Sequence, residues 1–263
     1  MTVPDIPDAP LLEAQGVTVR YGGLVALDAV DVTVRAGTIA GLVGPNGAGK
    51  TTLFGALSGL VRPRAGRVML GGVDITRTSP QRRARLGLAR TFQRLELFTE
   101  LTVREHLIVA HRTRQRRDRR LLADLVGLGA RPGAGEAEAV DRILALLDLD
   151  ALADRPVALL PLGIGRLVEV ARALATRPQV VLLDEPTSGL DRSETEQLAG
   201  ALRRARAEDG TTLVVVEHDV ELVLGLADHI TVLDFGKVLA AGTPSEIRAS
   251  TAVQAAYLGT VAS

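Results

Sequence analysis

Apolar residues along the chain switch between three spacings, and the switches mark out its elements. Val17 and Val19, then Val30, Val32 and Val34, alternate with polar neighbours, the period-2 pattern of half-buried antiparallel strands. Residues 38–43 (TIAGLV) are almost continuously apolar and predict a short buried strand, and residues 52–59 (TLFGALSG) predict the helix behind it. Residues 66–75 (GRVMLGGVDI) read as a hairpin turning at Gly71-Gly72. From about residue 81 to 160 the spacing becomes helical. Thr102 and Glu105 make a capping box that opens one helix, and Val140, Ile143, Leu144 and Leu147 fall on one face of another. Between them, residues 127–135 (GLGARPGAG) have the composition of a flexible loop.

After Gly165 a helix with Leu167, Val170, Ala171 and Leu174 on one face is expected to stop before Pro178, with an apolar strand at 180–183 directly behind it. Ser193 and Glu196 are expected to cap a helix running to Gly210, and residues 211–216 (TTLVVV) give another buried strand, ending at Glu217-His218-Asp219. Strand and helix in alternation predict a parallel sheet with helices on its faces, and such sheets bind ligands beyond the carboxyl ends of their strands. Three chemically distinctive stretches fall at such ends: the glycine-rich segment after residue 43, Asp184-Glu185 and His218.

Composition narrows the possible functions. At 263 residues the chain can bury a full core, and 46% hydrophobic with 24% charged residues fits a globular protein rather than a disordered or fibrous one. Lys plus Arg (31) equals Asp plus Glu (31), which removes the general electrostatic case for nucleic-acid binding, and no nucleic-acid partner is expected. The absence of cysteine excludes disulfides, thiolate nucleophiles and cysteine-based zinc sites. The first ten residues (MTVPDIPDAP) lack the apolar run of a secretory signal, and apolar runs elsewhere are too short to span a bilayer. A cytoplasmic protein whose membrane role comes through a partner is therefore expected.

Only two of the basic residues are lysines, Lys50 and Lys237. Lys50 sits in Gly44-Pro45-Asn46-Gly47-Ala48-Gly49-Lys50-Thr51-Thr52, which fits the phosphate-binding pattern of Gly, four residues, then Gly-Lys-Ser/Thr. Backbone N–H groups of such a loop and the helix N-terminus behind it cradle phosphates, the ammonium reaches the β and γ oxygens, and the Thr51 hydroxyl serves Mg²⁺. Asp184 ends a buried strand, where a carboxylate needs a cation or hydrogen-bond donors, and a Mg²⁺ held partly through water meets that need. Glu185 beside it is the candidate base for an attacking water.

Tyr21, GPNGAGKTT at 44–52, Gln93 within RTFQ, VVLLDEPTSGLD at 180–191 and VVEHD at 215–219 occur in the order seen in ABC-transporter ATPases. The chain resembles that family from about residue 11 to 258. RYGGL near the start, RTFQRLELFTELTVREHLIVA and the closing GTPSEIRASTAVQAAYLG are most similar to the ATP-binding subunits of branched-chain amino acid importers. The resemblance implies an α/β fold of the P-loop NTPase type: a RecA-like parallel sheet core with an antiparallel β subdomain and an inserted helical subdomain. It implies one domain over residues 11–250. The catalytic core and β subdomain would take about 11–80 and 166–245, the helical subdomain about 81–165, and a tail 251–263.

Carried over residue by residue, the resemblance gives Tyr21 the adenine-stacking role, Gln93 contact with Mg²⁺ and the water, and His218 contact with the γ-phosphate. It places Asp191 at the seam between two such ATPases. The implied ligands are ATP and Mg²⁺. The implied function is ATP hydrolysis coupled to amino acid uptake through separate membrane permeases, with an extracytoplasmic binding protein, the ATPase lying on the inner face of the membrane. An ATPase of a lipid or lipopolysaccharide exporter, and a soluble non-transport ABC ATPase, are the alternatives.

One motif departs from the pattern. Where the family has Leu-Ser-Gly-Gly-Gln, this chain reads Leu160-Pro161-Leu162-Gly163-Ile164. Pro161 has neither a hydroxyl nor an N–H, and losing such a donor to a charged group costs roughly 1.5 to 3 kcal/mol. Since each nucleotide in this family lies between the phosphate loop of one subunit and the signature of the other, the departure favours pairing with a different ATPase subunit over a homodimer. Three weaker signals remain. The arginines of residues 111–120 (HRTRQRRDRR) read as a solvated helical face or a headgroup contact, Asp234-Phe235-Gly236 as a hairpin turn, and Leu95, Leu97 and Phe98 equally as a groove floor or as core.

Overall fold

The structure is a computed structural model and describes residues 10–91, 96–115 and 134–258. In chain order these form β1 (Pro10–Tyr21), β2 (Leu24–Arg35), β3 (Ile39–Val43), α1 (Lys50–Ser58), β4 (Ala65–Leu70), β5 (Val73–Asp74), α2 (Pro80–Arg85) and β6 (Leu88–Arg90). Three helices follow, α3 (Val103–Gln115), α4 (Ala134–Leu146) and α5 (Leu162–Ala175). The remainder is β7 (Val180–Asp184), α6 (Arg192–Asp209), β8 (Thr212–Val216), α7 (Val220–Leu226), β9 (His229–Asp234), β10 (Lys237–Gly242), α8 (Pro244–Ala249) and α9 (Thr251–Leu258). Two compact units result: one takes the described residues up to Arg90, 179–186 and those from 205 onward, the other 91–178 and 187–204.

The first unit holds two sheets. β1 pairs antiparallel with β2 and β4, giving the order β2-β1-β4-β5, and the expected hairpin turns at Gly71-Gly72 between β4 and β5. The second sheet has the order β10-β9-β3-β8-β7-β6, with β9, β3, β8, β7 and β6 parallel and β10 antiparallel at one edge. Every residue of β3, β7 and β8 is buried, as strands covered on both faces require. Gly41 in β3 is one device for that covering: a Cβ there would lie 2.3 Å from Val223 of α7, so glycine sets how closely the helix packs. Asp234-Phe235-Gly236 is the expected hairpin turn, with Phe235 (φ 42) and Gly236 (φ 76) both left-handed as a type I′ turn demands.

One strand was not legible in the periodicity. Within the stretch expected to be helical, Leu88–Arg90 forms β6, beside β7; three residues are too few to display an alternation. Just before it, Arg83 of α2 is wholly buried. Its guanidinium donates to the carbonyls of Ala56 and Leu57 (both 2.6 Å), Ile75 (2.7 Å), Thr76 (3.1 Å) and Thr78 (3.3 Å). Ala56 and Leu57 lie in the last turn of α1, where carbonyls lack the usual i+4 partner and Ala56 has only the Gly59 N–H (3.3 Å), so Arg83 closes the end of the helix that begins at Lys50.

In the second unit Val140, Ile143, Leu144 and Leu147 are buried as the spacing predicts. Of the glycine-rich loop at 127–135 only Ala134 and Gly135 lie among the described residues, and they open α4. α5 begins at Leu162 rather than after Gly165, with Pro161 as its N-cap and no side-chain cap. Proline fits there because its fixed φ suits a helix entrance and its missing N–H is one that the helix would not use. The cap of α6 also differs from expectation. Asp191 Oδ1 accepts from the Glu194 N–H (2.8 Å) and Glu194 Oε2 from the Asp191 N–H (3.0 Å), so the box sits two residues before Ser193 and Glu196. Glu196 instead pairs with Arg192 one turn away (3.1 Å).

The Thr102–Glu105 box at α3 is formed as predicted. One turn in, buried His106 accepts the Phe98 N–H on Nε2 (2.9 Å) and places Nδ1 against the Thr102 carbonyl (2.9 Å), which fixes the neutral tautomer. Burial holds its pKa below the ordinary histidine value, with the Thr102 carbonyl opposing. The unfolded chain therefore binds the proton more readily, so this histidine's stabilisation is complete above about pH 6.5 and is lost as pH falls through the lower folded value. Chemical denaturation at stepped pH is expected to show wild type losing its advantage over H106Q on acidification below that point.

Candidate functional site

β3, β8 and β7 lie side by side and end level: Leu42 pairs with Val216, and Val216 with Asp184. Their carboxyl ends bring together the 44–52 loop, His218 and Asp184-Glu185, as the parallel-sheet reading requires.

The loop's form follows from its glycines. At Gly44 (φ 154) a Cβ would lie 2.2 Å from the Leu233 carbonyl oxygen, and Gly49 (φ 102) is the left-handed N-cap of α1 with Ala26 O 2.8 Å from the same position. No side chain caps α1, so the N–H groups of its first turn, from Lys50, Thr51 and Thr52, open toward a ligand. Ala48 is buried, whereas Asn46, Gly47 and Thr51 are exposed and Pro45 is partly so. Lys50, only 7% exposed, curls into the loop and donates to the Gly44 (2.6 Å) and Pro45 (3.0 Å) carbonyls, which leaves a third N–H for an anion. Burial lowers its pKa, and the negative charge of Glu185 acts against that shift.

Asp184 is 2% exposed and pairs with Arg90 Nη2 (2.8 Å); Arg90 Nη1 reaches Ser58 Oγ (2.9 Å), and its guanidinium lies 5.1 Å from the Phe54 ring centre. Glu185 follows in a left-handed conformation (φ 46), its N–H bonded to Val216 O (2.9 Å). A non-glycine residue held there is strained, a condition that recurs at functional sites. His218 is exposed, with Nδ1 3.7 Å from the buried Glu217 carboxylate. Tyr21, at the end of β1, is 52% exposed and offers a free ring face. Gln93 and Leu95 lie outside the described residues.

Comparison with known proteins decides what this arrangement belongs to. A family model described as ABC transporter matches residues 27–188, and one described as branched-chain amino acid ATP-binding cassette transporter matches 237–263. The chain is an ABC transporter ATPase. It is 39% identical over 256 residues to the high-affinity branched-chain amino acid transport ATP-binding protein BraF of Pseudomonas aeruginosa, covering 95% of this chain and 98% of that one. It is 39% identical over 253 residues to LivG of Escherichia coli K12, a protein of the same description, with the same coverage. The solved ADP conformation of MJ1267, an ATP-binding cassette of an ABC transporter, superposes with a TM-score of 0.82 at 30% identity, covering 95% of this chain and 99% of that one.

Two residues near the nucleotide loop of this ATPase were not singled out from sequence. Arg90 carries no local signal beyond its place in RTFQ, because its role arises from the pairing of β6 with β7. Tyr257 stands in the segment expected to be a tail, which forms α9. Its phenol is pushed up to about 12 by burial, with the Gly44 backbone acting in the opposite direction and the Asp234 charge adding to the rise. The Tyr257 side chain of α9 therefore comes against the first residue of the phosphate loop. Tyr257 would have been found by asking why an aromatic residue recurs in so aromatic-poor a chain, at 2%.

The segment that matches the family signature, residues 160–164, lies in the second unit. Pro161 and Leu162 are exposed, and a Cβ on Gly163 would lie 2.2 Å from Glu194 Oε1, so a carboxylate rests directly on that glycine. No helix among the described residues is long and apolar enough to cross a membrane.

Proposed function

We propose that this ATPase powers uptake of branched-chain amino acids through a pair of separate permeases, lying on the inner face of the membrane. The observation that carries this reading is the identity of 39% to BraF and LivG along almost the entire chain, joined to the match of residues 237–263 to the branched-chain subgroup.

The 44–52 loop and the first turn of α1 bind the triphosphate through backbone N–H groups, and Lys50 supplies the cationic donor. Tyr21 stacks on adenine. Glu185 takes the proton of the attacking water, and His218 holds the γ-phosphate. Magnesium fits the donors present: the Thr51 hydroxyl and the Asp184 carboxylate are hard oxygen ligands, and phosphate oxygens and water supply the rest of its shell. When bound, it neutralises charge on the phosphates. Gln93 is assigned the third contact on that ion.

The same reading assigns a different ATPase subunit as the dimer partner, and a binding protein outside the membrane as the source of the amino acid. Pro161 offers no hydroxyl, and the Glu194 carboxylate beside Gly163 disfavours an approaching phosphate, so the partner's nucleotide meets weak support. The partner's serine-containing signature serves the Lys50 site. Two tests follow. Capture of the native complex from membranes is expected to recover two permeases, a second short ATPase and an amino-acid-binding protein; recovery with copies of itself alone contradicts the heterodimer. In that complex, P161S is expected to speed single-turnover hydrolysis at the partner's site by about tenfold, the worth of one hydroxyl bonded to a charged group. An unchanged rate removes Pro161 as the cause of the asymmetry.

A further inference from the structure

Residues 96–104 follow Gln93, and they are bonded to the chain on both sides of the signature segment. Before the signature, Val157 N–H donates to Leu101 O (3.1 Å), Val103 N–H to Arg155 O (3.2 Å) and Arg104 N–H to Ala153 O (2.8 Å), with Thr102 and Pro156 bridged as in a two-strand ladder. Beyond it, two side chains of α5 take both polar groups of one peptide residue. Glu169 Oε1 accepts the Glu96 N–H (3.2 Å) and Arg172 Nη1 donates to the Glu96 carbonyl (2.5 Å).

We infer that Glu169 and Arg172 are positioning residues that lock the peptide after Gln93 to the signature helix, so that a displacement of this peptide is delivered to the signature segment. Glu169 is 2% exposed and is steadied by Arg166 (3.1 Å) one turn earlier. Burying the Glu169 carboxylate with the Arg166 guanidinium costs more than burying two apolar side chains of similar size, so the value of that pair lies in specifying one geometry. With Glu169 so held, it and Arg172 make a two-point grip: holding N–H and C=O of the same residue fixes its position and its orientation together. His106 adds a third hold two residues on, at the Phe98 N–H. Residues 96–100 form neither helix nor strand and lie outside the ladder made by residues 101–104, so that ladder does not keep them in place. With both flanks of Leu160–Ile164 tied to 96–104, a push at one is a push at the other. Arg172 is partly exposed and outside the nucleotide machinery, which makes it the residue to change.

Hydrogen exchange on the full-length ATPase tests the lock without a transporter. R172M is expected to raise exchange at residues 96–98 and in the first turns of α5 together, by about tenfold, with β7 and β8 unchanged. Faster exchange confined to 96–98 overturns the inference. In the reconstituted complex, where the inference rests on the importer reading, R172M is expected to keep the KM for ATP and the unstimulated rate. Stimulation by the leucine-loaded binding protein should fall by about tenfold, and R172K should restore most of it. Full stimulation in R172M, or equal loss of stimulated and unstimulated rates, counts against a positioning role. If the wild-type complex shows no stimulation, the importer reading fails and the exchange result alone decides the lock.

Discussion

Replacing Glu185 by glutamine is expected to slow ATP hydrolysis by about 10² to 10⁴-fold while ATP still binds. Glutamine keeps the size of the side chain and the strained backbone at φ 46, and the bond from the residue 185 N–H to Val216 O is independent of the side chain. What is lost is the carboxylate that directly follows Asp184 at the end of β7. The substitution also removes a charge that opposes the burial of Lys50, so the lysine pKa is expected to fall further in the variant, and its ammonium to be lost at lower pH. Phosphate release measured beside nucleotide binding separates the two effects. A rate within a few-fold of wild type assigns the base to another group.

Replacing Arg83 by methionine is expected to cost about 3 to 5 kcal/mol, the penalty of dismantling a buried charged network. The six hydrogen bonds of Arg83 go to five residues, with Thr78 engaged through its carbonyl and its hydroxyl. Methionine fills part of the volume and replaces none of them, leaving the Ala56 and Leu57 carbonyls at the end of α1 without this donor. Burial already lowers the guanidinium to about 10, with the Asp74 charge acting against the shift. For a protein of this size the penalty amounts to a melting temperature lower by about 10 °C. R83K is expected to recover little, since a lysine cannot reproduce the planar fork. Thermal unfolding followed by circular dichroism measures both, and a loss below about 2 °C in R83M would mean that α1 does not depend on this network.

The contrast between these residues explains what was legible in the sequence. Glu185, Lys50 and His218 stand at the ends of continuous apolar runs, and the register of β3, β8 and β7 then brings them level, so periodicity alone placed them on one edge. The antiparallel strands and the Phe235-Gly236 turn were equally local. Arg83, Arg90 and Tyr257 act across 27, 94 and some 200 positions, respectively, and no spacing in the chain announces such contacts. β6 is not legible in the sequence because three residues hold no period, and only its pairing with β7 makes it a strand. α5 starts earlier than its apolar spacing predicts because Pro161, which lacks a donor, is also a permitted first step into a helix. The cap of α6 went to Asp191, whose place in the resemblance at the dimer seam obscured its local role.

Branched-chain uptake is decided by transport of labelled leucine into proteoliposomes, by the complex captured through this chain and with ATP enclosed on the ATPase side. Uptake is expected to require enclosed ATP, to be competed by isoleucine and valine, and to disappear when Glu185 is replaced by glutamine. A complex that hydrolyses ATP yet moves no branched-chain amino acid would contradict it.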